Sequence, residues 1–163
     1  MPCEQRKMNF DKRTRARELA MQALYQLDVQ GGGIIELLEG FFLESDTDDF
    51  VRKLASDWTK GTWNNLKKCD ELITASTIKW EFARLSLVDR SILRLAVYQL
   101  TFCRDIPPKV IINEAIELAK KFSTDKSPAF VNGVLDAILK RNTDQAPRLA
   151  SPDSGAGREK FRR

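Results

Sequence analysis

The sequence predicts an all-α protein, and three observations carry the prediction. Apolar residues recur at steps of three and four along most of the chain. No run of strict apolar–polar alternation is bounded by hairpin turns. Capping residues, prolines and glycines punctuate the periodic segments where helices start and stop. At 163 residues, with 42% hydrophobic and 31% charged residues, the chain is long enough to bury one core without disulfides or a structural metal.

The first helix is expected from Asp11, a plausible N-cap, with Ala16, Leu19, Ala20, Ala23, Leu24 and Leu27 in one stripe and the glycines at 31 to 33 as its stop. A short second helix lies within "IIELLEGFFLES". Asp46, Thr47 and Asp48 then supply cap chemistry for a long third helix, in which Val51, Leu54, Ala55, Trp58, Thr62, Leu66, Cys69 and Ile73 imply about seven turns. The period weakens across "TIKWEFARL", which reads as a connection or short helix. The segment "LSLVDRSILRLAVYQLTFCRD" is apolar on most sides and is the expected central core helix.

After Pro107 and Pro108, Ile111, Ala115, Leu118 and Phe122 form the next stripe, with a Glu117/Lys121 pair on the exposed side. Ser127 followed by Pro128 is an N-cap plus first-turn proline that opens the last helix, where Val131, Val134, Leu135 and Ile138 face inward. Gly133, costly inside a helix, suggests a close helix crossing, and Asn132 a buried or bridging hydrogen bond. The organisation expected is a flexible arm over 1–10, a helical domain over 11–142 and a disordered basic tail over 143–163.

Composition excludes several classes of function. The chain has no histidine, which removes the commonest general base and metal ligand. Cys3, Cys69 and Cys103 form no C-x-x-C pair, and "GGG" at 31 to 33 lacks the Lys-Ser/Thr of a phosphate loop. No catalytic residue, cofactor or metal is expected. No apolar run approaches the roughly 20 residues of a membrane-spanning helix, and the first ten residues lack a secretory core, so a cytoplasmic location is expected.

The net charge of +4 is unevenly placed: residues 1–18 carry +3 and residues 140–163 carry +4, leaving the body at −3. Basic ends on a nearly balanced body point to a polyanion, nucleic acid before membrane. Lys12, Arg13, Arg15 and Arg17 stand where a helix beginning at Asp11 would have its positive pole, a cost that phosphate contacts would offset. Helical projection puts Arg13 and Arg17 on one flank of the apolar stripe and Arg15 on the other, with Gln22, Tyr25 and Gln26. Glutamine can read base edges and tyrosine can stack a base, although packing alone also explains Tyr25. In "STDKSPAFVNG", Lys126 and a helix start could meet phosphate while Phe130 stacks a base or joins the core.

Three stretches, "RTRARELAMQALYQLD", "LSLVDRSILRLAVYQLTFCRDIPPKVIINEAIELAKKFS" and "FVNGVLDAILK", together closely resemble the NusB family of transcription antitermination proteins over roughly residues 12–140. The resemblance implies a compact bundle of about seven helices in two sub-bundles, and binding rather than catalysis. The implied partners are single-stranded boxA RNA of ribosomal RNA leader transcripts, the small-subunit ribosomal protein NusE, and the elongating RNA polymerase complex with other Nus factors. A homodimer that hides the RNA surface is also permitted by the family.

In the family pattern the run Gln22 to Tyr25 abuts the RNA side, and Phe130 is the phenylalanine of Phe-Val-Asn-Gly. Lys126 stands where members often carry an acid. Asp89 matches an acidic position at the ribosomal-protein interface, yet Ser86 followed by Asp89 also reads as a capping arrangement. Both roles hold only if the carboxylate stays partly exposed. Two other readings are a NusB-like domain detached from an RNA 5-methylcytosine methyltransferase, which would need a methyl-donor domain downstream, and a purely protein-binding bundle whose terminal charges are incidental.

Overall fold

The computed structural model describes residues 3–45, 47–77, 82 and 85–145, with the side chains at 3, 5–10 and 145 outside the description. Seven α-helices follow one another among these residues: α1 (Cys3–Gln30), α2 (Leu38–Glu44), α3 (Asp49–Asn64), α4 (Leu66–Ser76), α5 (Leu87–Phe102), α6 (Pro108–Phe122) and α7 (Ser127–Gln145). A 3-10 turn, Gly32–Leu37, joins α1 to α2. Helices α1, α2 and α3 pack together, α4, α6 and α7 form a second group, and α5 packs against α1, α3, α4, α6 and α7. The central place of α5 follows from its sequence, because Ile92, Leu93, Leu95, Ala96 and Val97 are all buried and leave no broad polar face.

Helix α1 begins eight residues earlier than expected, so Asp11 lies inside it and is no cap. Lys12 stands roughly two and a half turns from the amino end, beyond the first turn in which a helix dipole acts appreciably. The penalty assigned to these cations therefore does not arise. At the other end the glycine stop holds: Gly31 has φ +88°, and its N–H donates to the Leu27 carbonyl at 2.8 Å.

The single long helix expected over 51 to 73 is two helices. Asn65 leaves helical geometry at φ −113°, ψ 22°, and its side-chain Nδ2 donates to the Gly61 carbonyl at 2.8 Å. The Asn65 backbone N–H donates to the same carbonyl at 3.2 Å and to that of Thr62 at 3.1 Å, so Asn65 closes α3 as its C-cap while the apolar period runs through the break unchanged. Asp48 is the N-cap of α3, its Oδ1 accepting from the Val51 N–H at 3.0 Å. The expected cap residue Asp46, most of "TIKWEFARL" and the tail from 146 lie outside the described residues. Helix α7 extends to Gln145, so 143–145 are helical rather than tail.

Close helix approach occurs at Gly61 and not at Gly133. A Cβ on Gly61 would overlap the Tyr98 hydroxyl of α5, whereas one on Gly133 would meet nothing within 4 Å. Asn132 is likewise exposed rather than buried. Polar groups also tie the two helix groups together. Arg94 of α5 is buried and forms a two-pronged pair with Asp70 of α4 at 2.8 and 2.9 Å, while Asp28 of α1 lies 3.3 Å away.

Candidate nucleic-acid interface

The four cations of α1 meet four different environments, because a helix turns 100° per residue and only part of its circumference faces solvent. Lys12 is half-exposed and pairs with Asp48 at 2.7 Å. That hydrogen bond, followed by the Val51 N–H, holds the Asp48 carboxyl below its ordinary range. Arg13 is exposed and has no ion pair among the described residues. Arg15 pairs with Glu18 at 3.0 Å, leaving much of its side chain in solvent.

Arg17 is different in kind, being only 2% exposed. Its guanidinium lies over the Trp58 ring at 5.0 Å, its Nε donates to Gln99 Oε1 at 3.3 Å, and its Nη1 is 3.8 Å from Glu114 Oε2. One arginine thus touches α3, α5 and α6. Burial pulls its pKa below the ordinary value, and Glu114 opposes that shift. The expectation that Arg17 stands with the other cations on the surface is corrected: its guanidinium is buried, joins three neighbouring helices and is not part of an exposed strip. The sequence carries a faint signal for this, since Arg17 precedes the buried Ala20, Met21 and Leu24 at helical steps.

The outer face of α1 holds Arg15, then half-buried Gln22 and Tyr25, which is 38% exposed. From Arg15 polar contacts lead across to α6, and a separate set joins α5 to the start of α7. Glu18 accepts from Arg15 and also from Lys121 Nζ at 2.6 Å, and Lys121 lies 5.3 Å from the Phe122 ring. Next along the chain, Ser123 Oγ donates to Asp89 Oδ1 at 2.7 Å, and Ser127 Oγ donates to Asp89 Oδ2 at 3.0 Å. The expected Glu117/Lys121 pair is therefore replaced by Lys121 to Glu18 and Lys120 to Glu117. Lys121 is a surface cation that periodicity did not select, although "AKKF" places two lysines at a helix end where they favour the dipole.

Asp89, Lys126 and Phe130, far apart in sequence, meet around a cavity of about 250 Å³ completed by Leu85, Ser86, Thr124 and Ser127. Ser86 caps α5, its Oγ accepting from the Asp89 N–H at 3.1 Å, while the Asp89 carboxylate is half-buried and keeps some exposure. Lys126 is exposed just before α7, and Phe130 is half-buried. Together these groups offer cations, an amide, aromatic rings and a carboxylate. Such a set suits phosphate contacts, base stacking and base-edge hydrogen bonds. Among the described residues no group of His, Cys, Asp or Glu is placed to hold a metal, and no helix is long and apolar enough to cross a membrane.

Comparison with known proteins gives the following. The NusB family model matches residues 14–140. The transcription antitermination protein NusB of Anaeromyxobacter dehalogenans is 46% identical over 128 residues, covering 78% of this chain and 89% of that protein. The corresponding protein of Bacillus subtilis is 44% identical over 127 residues, covering 78% and 94%. Among solved structures, T. maritima NusB matches with a TM-score of 0.72 at 41% identity, covering 78% of this chain and 90% of that chain. A chain in the crystal structure of antitermination factors NusB and NusE in complex with dsRNA matches with a TM-score of 0.73 at 29% identity, covering 80% and 98%.

Proposed function

The chain belongs to the NusB family, and on that premise we propose that it is a transcription antitermination factor. It binds the boxA RNA of ribosomal RNA leader transcripts together with NusE and keeps the elongating polymerase from terminating early. The function is binding, and the place is the cytoplasm, where the transcript emerges. The observation that carries the RNA part is the meeting of exposed Lys126 and half-buried Phe130 around one cavity, together with Arg15, Gln22 and Tyr25 of α1, where Glu18 bridges Arg15 to Lys121 of α6. Arg13 and Lys12 add positive charge on the neighbouring flank of α1, where Lys12 pairs with Asp48. Phosphates fall to the cations, and Tyr25 and Phe130 stack bases.

Asp89 is the proposed contact to NusE. Its carboxylate is fixed by two serine hydroxyls, so it presents a charge in one position rather than a mobile one. The test is binding of boxA RNA and of a scrambled strand, each single-stranded and as a duplex, with and without NusE. Tighter binding of boxA than scramble, strengthened by NusE, supports the reading. Equal affinities with no effect of NusE overturn it and favour a bundle that binds only protein.

A further inference from the structure

On the flank of α1 away from Tyr25 lies a cavity of about 460 Å³, within the size range of small-ligand sites. Its apolar wall comes from Phe50, Leu54, Trp58, Ile106, Pro107 and Val110. Two guanidiniums, those of Arg13 and Arg17, also line it, as do Asp105 and Cys103. Arg17 is buried yet incompletely satisfied. Its only hydrogen bond among the described residues is from Nε, and the 3.8 Å separation of Nη1 from Glu114 Oε2 exceeds hydrogen-bond length. Among the described residues, Gln99 Nε2 and Glu114 Oε2 beside it are buried without hydrogen-bond partners. Two guanidiniums that line the cavity, one of them Arg13 with no ion pair among the described residues, and an apolar wall suit an anion with a flat or apolar body.

We infer that this cavity binds a nucleoside phosphate, its phosphate between Arg13 and Arg17 and its base against Phe50 and Pro107. Two guanidiniums match a doubly charged phosphate better than a single carboxylate. Phe50 is 48% exposed, so part of its ring is open to a base. Asp105 repels phosphate but accepts from an amino or ribose hydroxyl group, which orients the ligand with its anionic end toward the arginines. The nucleotide has two sources, free in solution or as the next nucleotide of a strand already held on the outer face of α1.

The test titrates the full chain with adenosine monophosphate, adenosine and inorganic phosphate, following arginine side-chain N–H signals by NMR and binding by calorimetry. The expected result is saturable binding of the monophosphate that perturbs Arg13 and Arg17, with adenosine and inorganic phosphate at least tenfold weaker. Val110→Trp, which fills the cavity, and Phe50→Ala, at an exposed position that spares the fold, should each weaken the monophosphate at least tenfold. Competition separates the sources: boxA RNA lengthened by one nucleotide at either end displaces the monophosphate if the strand supplies it, and binds alongside it if the ligand is free. The first arm uses no RNA, so its failure is distinct from failure of the boxA reading. Inorganic phosphate binding as tightly as the monophosphate overturns the inference. So does monophosphate binding that survives both substitutions, or a cavity that takes a leucine- and glutamate-containing peptide but no monophosphate.

Discussion

Arg15 and Arg17 are two residues apart on one helix, carry the same charge and do opposite work. Arg15 reaches solvent beside Glu18, where a phosphate can replace or join its partner at little cost. Arg17 is enclosed by Trp58, Gln99 and Glu114 and holds α1 against three other helices. The difference is angular: 200° of rotation separates the two positions, enough to carry one guanidinium from surface to core. A basic sequence run is therefore not a basic surface until the helix phase is known.

The largest effect should come from the buried member. Arg17→Ala leaves Glu114 uncompensated and removes the cation from Trp58, so it should cost roughly 3–5 kcal/mol of stability, read as a shift in the denaturant midpoint. Arg15→Ala should change stability by less than about 0.5 kcal/mol. A small loss at Arg17 would mean that the pocket admits water freely and that the two arginines are not so different.

A middle-sized effect belongs to the outer face. Tyr25→Ala and Phe130→Ala should each weaken boxA binding by about 1–2 kcal/mol, roughly five- to thirtyfold, if each ring stacks one base. Tyr25 is the cleaner probe, because Phe130 also packs against the core and its replacement will cost stability. Asp89→Asn keeps the size of the side chain but loses a charge-assisted acceptor for Ser123 and Ser127, so NusE affinity should fall several-fold while affinity for RNA alone changes little. Pull-down or calorimetry with NusE checks this.

The smallest effect concerns Lys12. Asp48→Asn retains a capping oxygen for α3 but releases Lys12 from its ion pair, so RNA affinity should rise about two- to threefold at low salt. The same pair carries a pH sign. The Asp48 pKa is depressed in the folded state, so its contribution to stability is present above the unfolded carboxyl pKa and is lost as pH falls through the lower folded value. In Asp48→Asn that part of the acid sensitivity should be absent from a series of denaturant titrations.

The buried stripes of α1, α5, α6 and α7 were legible in the sequence because each is a local repeat of three and four residues. The division between α3 and α4 was not, since the apolar period passes through Asn65 while only the backbone there leaves helical geometry. The early start of α1 was hidden because Asp11 has the right chemistry for a cap and the residues before it lack an apolar stripe. The candidate site was legible as residue types, and Lys126, Phe130 and Asp89 do meet around one cavity. Arg17 was misread because its partners, Trp58, Gln99 and Glu114, are polar or aromatic residues on three other helices, and no local pattern links them.

The proposed interface divides the arginines of α1 between an RNA face and a structural contact. It is tested most directly by the salt dependence of core boxA RNA binding for wild type, Arg15→Ala and Arg17→Lys, with folding of each checked beforehand. The account predicts that Arg15→Ala weakens binding and flattens the slope of log affinity against log salt by about 0.7, one phosphate contact on a single strand. Arg17→Lys should lower stability while leaving the slope of the folded protein unchanged. An unchanged slope for Arg15→Ala, together with a flattened one for Arg17→Lys, would contradict it and place the RNA on the other flank of α1.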